Sequence, residues 1–161
     1  MATTFLSGDI LHVLKEHNGP RALAFGADCS GTLSAGIAVA VKKEWPRFAE
    51  AFLAHAEGGK LQPGDVFAWS DGPLTIMALA IQRDGAKPKF SNVERALQGA
   101  IAKATEANVN TLLVPRFAGG KTGLDWTRMR RLLIELGTGS AMQITVFEKF
   151  VRTKADDSPP Q

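Results

Sequence analysis

Apolar residues follow one another along the chain in two patterns, short continuous runs and longer runs with helical spacing. The continuous runs Ala22–Phe25 and Asn110–Val114 are typical of strands buried on both faces of a parallel sheet. Between Ser91 and Ala107, apolar side chains recur every three or four residues, which predicts a long helix. Because strand-like and helix-like segments alternate, the pattern predicts an α/β domain.

The remaining elements are predicted from the same pattern and from turn and capping signals. Asp9 and Asp125 each precede a helix-like segment and are expected to be N-caps, and Gly137 is expected to end the helix that Asp125 begins. Asp71-Gly72 predicts a hairpin turn. The other predicted strands are Thr4–Leu6, Asp65–Trp69, Leu74–Ile81 and Met142–Phe147, and the other predicted helices are Ala35–Lys43 and Phe48–Ala56.

Composition narrows the class of protein. The 161 residues, 45% of them hydrophobic, suit one domain over 1–150, and the charged, proline-containing tail 151–161 is expected to be disordered. The single Cys29 excludes an internal disulfide, and the three histidines lack metal-ligand spacing, so we expect neither a metal nor a cofactor. With no signal-like or membrane-spanning run, we expect a cytoplasmic protein, a monomer, whose net charge of +3 suits an anionic ligand.

Two glycine-rich loops carry the chemistry, since each follows a predicted strand and precedes a predicted helix. They are Gly26–Gly36 and Pro115–Gly123. In open α/β sheets, ligands sit at the carboxyl ends of the strands, and glycines there bring backbone N–H groups close to a phosphate at a helix N-terminus. Two such loops suit a diphosphate, although glycine loops also serve as tight connections. Pro115 stands where a P-loop requires glycine, which excludes that motif.

Five segments together resemble the macrodomain family. They are Phe5–Leu11, Ser34–Ala38, Val114–Gly120, Leu124–Trp126 and Ile144–Phe147, in family order. Within the family, the chain is most similar to the terminal ADP-ribose glycohydrolase type, which includes DNA ADP-ribosyl hydrolase antitoxins. The resemblance implies a three-layer α/β/α fold with a mixed central sheet and a groove that binds ADP-ribose.

The resemblance also implies roles for individual residues. Asp9, with the Ile10 backbone beside it, would bind the adenine amino group, although Asp9 also suits a helix cap. Phe147 would stack on adenine or, alternatively, pack in the core. Lys121 would pair with phosphate or remain solvated. Two sets would surround the diphosphate and distal ribose: Ser34, Ala35, Gly36 and Ile37 on one side, and Ala118, Gly119, Gly120, Lys121, Thr122 and Gly123 on the other.

The chain departs from the hydrolytic subgroup at its two catalytic positions. Gln82 aligns with the family lysine that attacks the distal ribose, and Thr122 aligns with the family aspartate. An amide cannot act as nucleophile or base, and a hydroxyl is a poor acid. As alternatives, Asp28 would activate a water that Gln82 positions, or Asp28 would only bond its own loop, as Asx residues often do.

Three functions therefore remain open. The chain hydrolyses ADP-ribosyl linkages at the distal ribose, in protein, nucleic acid or O-acetyl-ADP-ribose. Alternatively, it is a reader module that binds ADP-ribose without cleaving it, as the replaced lysine and aspartate favour. A third possibility is that the groove binds another phosphorylated metabolite, or RNA through the basic surface.

Overall fold

The computed structural model describes residues 1–34, 36–116 and 123–153, and these form one alternating series of strands and helices. The strands are β1 (Thr3–Gly8), β2 (Arg21–Asp28), β3 (Asp65–Asp71), β4 (Leu74–Gln82), β5 (Thr111–Pro115) and β6 (Gln143–Phe150). The helices are α1 (Ile10–Glu16), α2 (Ile37–Glu44), α3 (Pro46–Glu57), α4 (Phe90–Glu106) and α5 (Trp126–Thr138).

These strands form one mixed sheet with the order β1-β6-β5-β2-β4-β3. Every neighbouring pair is parallel except β3 and β4, which form the predicted antiparallel hairpin. The expected α/β fold with a mixed sheet is therefore confirmed. Because five strands run in one direction, their carboxyl ends meet at a single edge of the sheet.

Helices cover both faces of the sheet, which gives the expected three layers. Along β2, Ala22 and Ala24 pack in the core beneath α4 and α5, whereas Leu23 and Phe25 pack in the core beneath α1, α2 and α3. The strand is apolar throughout because successive side chains point to opposite, equally buried faces. In the second core, Phe48 is fully buried among four other aromatic rings. Each face of the sheet is thus packed against helices through its own hydrophobic core.

Several predicted boundaries differ from the structure by a few residues, and two of the differences involve contacts with β1. Helix α5 runs through Gly137 to Thr138, with Gly139 as its C-cap, and Gly137 is instead the point where the helix approaches the backbone of β1 closely. The last strand extends beyond Phe147 to Phe150, since it continues to pair with β1. In the predicted tail, Val151 donates to the Gly8 carbonyl at 3.0 Å, and residues 154–161 lie outside the described part.

No described helix has the length and apolar character needed to cross a bilayer. Within the described ranges, no group of three or more His, Cys, Asp or Glu side chains could hold a metal ion.

Candidate functional site

Two cavities open at the carboxyl edge of the sheet, one on each side of the first turn of α2. The larger cavity has a volume of about 640 Å³ and lies between the ends of β1, β5 and β6 and the helices α1 and α2. The smaller cavity has a volume of about 350 Å³ and lies between the ends of β2 and β4. Gly36 and Ile37 line the larger cavity, whereas Ser34 and Ala38 line the smaller one. The site is therefore divided in two by a helix N-terminus.

The N-terminus of α2 has no side-chain cap. Its N-cap is Gly36, with φ +60° and ψ −139°, and a Cβ built there would find no atom within 4 Å. Uncapped N–H groups at a helix N-terminus attract anions, because the peptide dipoles add a partial positive charge. The predicted glycine-loop residues Ser34, Gly36 and Ile37 therefore lie at an anion-attracting end, and Ala35 lies outside the described residues.

Asp9 stands at the mouth of the larger cavity, at the N-terminus of α1. Its Oδ1 accepts a hydrogen bond from the His12 N–H at 3.2 Å, so the predicted N-cap is confirmed. Its Oδ2 accepts a hydrogen bond from the Thr153 N–H at 3.3 Å. A carboxylate offers about four acceptor positions, so these two bonds leave capacity for a ligand N–H group. Ile10 beside it is buried in the core while also lining the cavity.

Two phenylalanines of β6 line the larger cavity in different ways. Phe147 is only 5% exposed and packs against Gly8, where an added Cβ would come within 3.3 Å of its ring. Phe150 is 66% exposed. The pairing of β1 with β6 shifts between Leu6 and Ser7, so that Glu148 is an extra residue in the ladder. Phe147 therefore packs in the core, as one of its two predictions had it, and also lines the cavity, while stacking on adenine stays a prediction.

Asp28 lies at the end of β2 and accepts hydrogen bonds from three backbone N–H groups in the smaller cavity. Oδ1 accepts from Ser30 at 2.9 Å and from Asp84 at 3.3 Å, and Oδ2 accepts from Gly85 at 2.8 Å. Partial burial alone would raise the pKa of the Asp28 carboxyl, but these N–H groups favour its charged form and leave the pKa below its ordinary value. The bond from the Ser30 N–H is the Asx turn that the sequence offered as one alternative for Asp28. Because its pKa is lowered, the carboxylate is also a weaker base.

Gln82, the second residue predicted to handle water, lies opposite Asp28 in the pairing of β2 with β4. Its side-chain Nε2 donates to the Ala86 carbonyl at 3.2 Å, and its backbone carbonyl accepts from Cys29 at 2.7 Å. Burial raises the pKa of the Cys29 thiol, which keeps it in the unreactive protonated form. The structure thus brings Asp28, Gln82 and Ser34 together in one cavity, which the Cys29 side chain does not line.

Most of the second glycine loop lies outside the described residues, including the predicted Ala118, Gly119, Gly120, Lys121 and Thr122. The described ends are Arg116, which lines the larger cavity, and Gly123, which has φ +71°. A Cβ on Gly123 would lie 3.3 Å from the Lys87 side chain, so this end of the loop meets the segment between β4 and α4. Asp125 then caps α5 by accepting from the Thr127 N–H at 3.0 Å, as predicted.

Beside the larger cavity lies an arginine–aromatic cluster that the sequence pattern did not predict. Arg116 lies over the Trp126 ring at 4.9 Å, and Arg130 lies over the Phe5 ring at 4.1 Å. Glu148 accepts from the Trp126 indole N–H at 3.2 Å and pairs with Arg130 at 3.3 Å. These residues come from β1, the end of β5, α5 and β6, so no local spacing reveals them; only the pair Trp126 and Arg130, one helical turn apart, is a sequence signal.

Comparison with known proteins gives distant but extensive similarities. No protein-family profile matches the chain. A DNA ADP-ribosyl glycohydrolase of Thermus aquaticus is 24% identical over 162 residues, 97% of this chain and 44% of the relative. One of Mycobacterium tuberculosis is 27% identical over 136 residues, 81% of this chain and 37% of the relative. The human ADP-ribose glycohydrolase OARD1 is 24% identical, with 89% and 90% covered. The chain therefore spans less than half the length of the bacterial relatives.

Solved structures superpose over nearly the whole chain. The macrodomain of Thermus aquaticus DarG matches with a TM-score of 0.78 at 20% identity, covering 91% of this chain and 97% of that one. The macrodomain of Mycobacterium tuberculosis DarG matches with a TM-score of 0.74 at 22% identity, covering 94% and 98%. Thermosipho africanus DarTG, solved in complex with ADP-ribose, matches with a TM-score of 0.77 at 15% identity, covering 99% and 43%.

Proposed function

The chain has the macrodomain fold, and from that premise we propose that it binds ADP-ribose and hydrolyses ADP-ribosyl linkages at the distal ribose. The observation that carries the proposal is the pair of cavities on either side of the uncapped α2 N-terminus. ADP-ribose has two bulky ends joined by a diphosphate. We place adenosine in the larger cavity, the distal ribose in the smaller one, and the diphosphate across the helix N-terminus.

The chemistry of each part supports this placement. The larger cavity offers aromatic side chains for a planar base and the Asp9 carboxylate for an amino group. Lys15, Arg116 and Arg152 also line it and favour an anion nearby. The smaller cavity is lined by carboxylate, amide and hydroxyl groups, which suit the hydroxyls of a sugar; they belong to Asp28, Ser30, Thr32, Ser34, Gln82 and Asp84.

In the proposed reaction, a water oxygen forms a bond to the anomeric carbon of the distal ribose as the bond to the acceptor breaks. The protein or nucleic acid that carried the ADP-ribose leaves with a proton. In O-acetyl-ADP-ribose, the water oxygen instead bonds to the ester carbonyl carbon, and the ribose oxygen leaves with a proton as acetic acid forms. Gln82 is the residue we propose to position this water, since an amide both donates and accepts. For Asp28, proposed from the sequence as the base, the three N–H groups on its carboxylate favour a supporting role.

The second candidate is a reader that binds ADP-ribose without turnover. Gln82 at the family lysine position and Thr122 at the family aspartate position favour it. The lowered pKa of Asp28 favours it as well, because it makes the carboxylate at the end of β2 a weaker base.

One set of measurements separates the candidates. The protein is incubated with ADP-ribosylated protein, ADP-ribosylated DNA and O-acetyl-ADP-ribose, and ADP-ribose binding is measured in parallel by calorimetry. Binding with release of ADP-ribose from any substrate supports the hydrolase, with Gln82→Ala as the variant expected to lose turnover. Binding without turnover supports the reader. Absence of binding refutes both.

A further inference from the structure

The segment that closes the smaller cavity is a tight turn in an uncommon backbone conformation. It spans Arg83 to Ala86, with the Ala86 N–H donating to the Arg83 carbonyl at 3.0 Å. Its two central residues, Asp84 and Gly85, have φ values of +52° and +75°. Two consecutive positive φ values define a type I′ turn, which strains any residue but glycine and is tolerated best by Asn and Asp. Such a turn persists where other contacts hold it in place.

Those contacts come from Asp28. The N–H groups of both central turn residues point at its carboxylate, Asp84 to Oδ1 and Gly85 to Oδ2, while Ser30 anchors Oδ1 from the other side. The acceptor and the turn are more than 50 residues apart in the chain. A carboxylate that accepts two successive N–H groups is held as an anion in a backbone nest, and it holds the nest in return.

The turn also holds the side-chain amide of Gln82. The Ala86 carbonyl, at the end of the turn, accepts the hydrogen bond from Gln82 Nε2 at 3.2 Å. The order of contacts is therefore Asp28, then the turn, then the Gln82 amide, all within the smaller cavity.

We infer that Asp28 is a positioning residue, whose carboxylate fixes the turn at Asp84 and Gly85 and through it sets the place of the Gln82 amide at the ligand. This inference rests on the proposed function, because it assigns Gln82 to the distal half of ADP-ribose. It replaces a direct role for Asp28 with an indirect one. The lowered pKa of Asp28 agrees with it, since a carboxylate committed to three N–H groups is a poor proton acceptor.

A double-mutant cycle on ADP-ribose affinity tests the inference. Asp28→Asn keeps one acceptor oxygen but faces the second N–H with an amide NH2, so the turn is released; Gln82→Ala removes the positioned amide. We expect each single change to weaken ADP-ribose binding severalfold, and the double variant to bind as Gln82→Ala does, because Asp28 acts through Gln82. Asp125→Asn is the matched control, since it makes the same change at a carboxylate that also accepts a backbone N–H but lines neither cavity, and it should bind like the wild type.

Two kinds of result, from affinity and from hydrogen exchange, would contradict the positioning role of Asp28. If the effects of Asp28→Asn and Gln82→Ala multiply, or if Gln82→Ala leaves affinity unchanged, Asp28 does not act through Gln82. Amide hydrogen exchange of Asp84 and Gly85 in the unliganded protein is the second readout, and exchange no faster in Asp28→Asn also overturns the inference. Should Asp28→Asn not fold, Asp28→Ser replaces it. If the wild type fails to bind ADP-ribose but its turn amides are protected from exchange, the proposed function is refuted, while the contact by which Asp28 holds the turn still stands.

Discussion

Replacement of Gly36 by alanine isolates the contribution of the α2 N-terminus to ligand binding. At φ +60° and ψ −139°, Gly36 has a backbone conformation that side chains rarely adopt. A Cβ there would meet no atom within 4 Å, so steric overlap adds nothing to the penalty. The backbone strain alone costs about 1–3 kcal/mol. Since a domain of this size has a stability of about 5–15 kcal/mol, the variant should still fold.

The same strain predicts the loss of affinity. Alanine relieves its strain by rotating away from φ +60°, which turns the first N–H groups of α2 out of the groove. Ligand binding must then restore the strained conformation, so affinity should fall by up to the full strain. At about 1.4 kcal/mol per tenfold change, this amounts to about fivefold to 150-fold.

Two other glycines provide matched controls. Gly59 and Gly72 have φ values of +69° and +59°, and a Cβ on either would also meet no atom within 4 Å. Neither lines the larger or the smaller cavity. Alanine at these positions should lower stability by a similar amount without changing affinity.

Urea denaturation and calorimetry with ADP-ribose are sufficient to test this reasoning. All three variants should unfold at lower urea with unchanged m-values, and only Gly36→Ala should bind more weakly. An affinity within twofold of the wild type in Gly36→Ala, or an equal loss in Gly59→Ala, would show that the diphosphate does not use this helix end.

Three further predictions concern stability and electrostatics. Asp28→Asn should be less stable than the wild type near neutral pH, and this difference in the free energy of unfolding should close in acid. A carboxylate with a lowered pKa stabilises the fold fully above the pKa of the unfolded state, and the stabilisation is lost as the pH falls through the pKa of the folded state. Urea denaturation at stepped pH measures the difference, and a difference that stays constant contradicts the prediction. Gly137→Ala should lower the free energy of unfolding by about 1–3 kcal/mol, as read from its urea midpoint, because its methyl group would overlap Thr3 Oγ1; an unchanged midpoint would mean that β1 moves aside. The affinity for ADP-ribose should depend weakly on salt concentration. A ligand with six to ten phosphate contacts would instead bind about 10³–10⁵-fold more weakly at 200 mM than at 50 mM salt, so a steep salt dependence would indicate a polynucleotide ligand.

Local signals were sufficient for much of the fold. The apolar runs of β2 and β5, the Asp-Gly hairpin and the caps at Asp9 and Asp125 were all predicted correctly, because each depends on a few neighbouring residues. The edge that carries the site followed from the same signals, since parallel strands bring their carboxyl ends together. The location of the candidate site, at the carboxyl ends of the strands, was therefore accessible from the sequence.

Only the tertiary structure shows which contacts the candidate site residues make. Asp28 was predicted either to activate water or to bond its own loop. The turn whose N–H groups also bind its carboxylate lies more than 50 residues away, and no local pattern indicates a partner at that distance. The extra residue Glu148 in the ladder of β6, and its contacts with Trp126 and Arg130, likewise need three elements to meet. Gly137 reads as a helix stop in sequence, yet it is glycine because β1 packs against it. Capping and periodicity are short-range effects written into neighbouring residues, whereas charge partners and close packing depend on which distant segments the folded chain brings together.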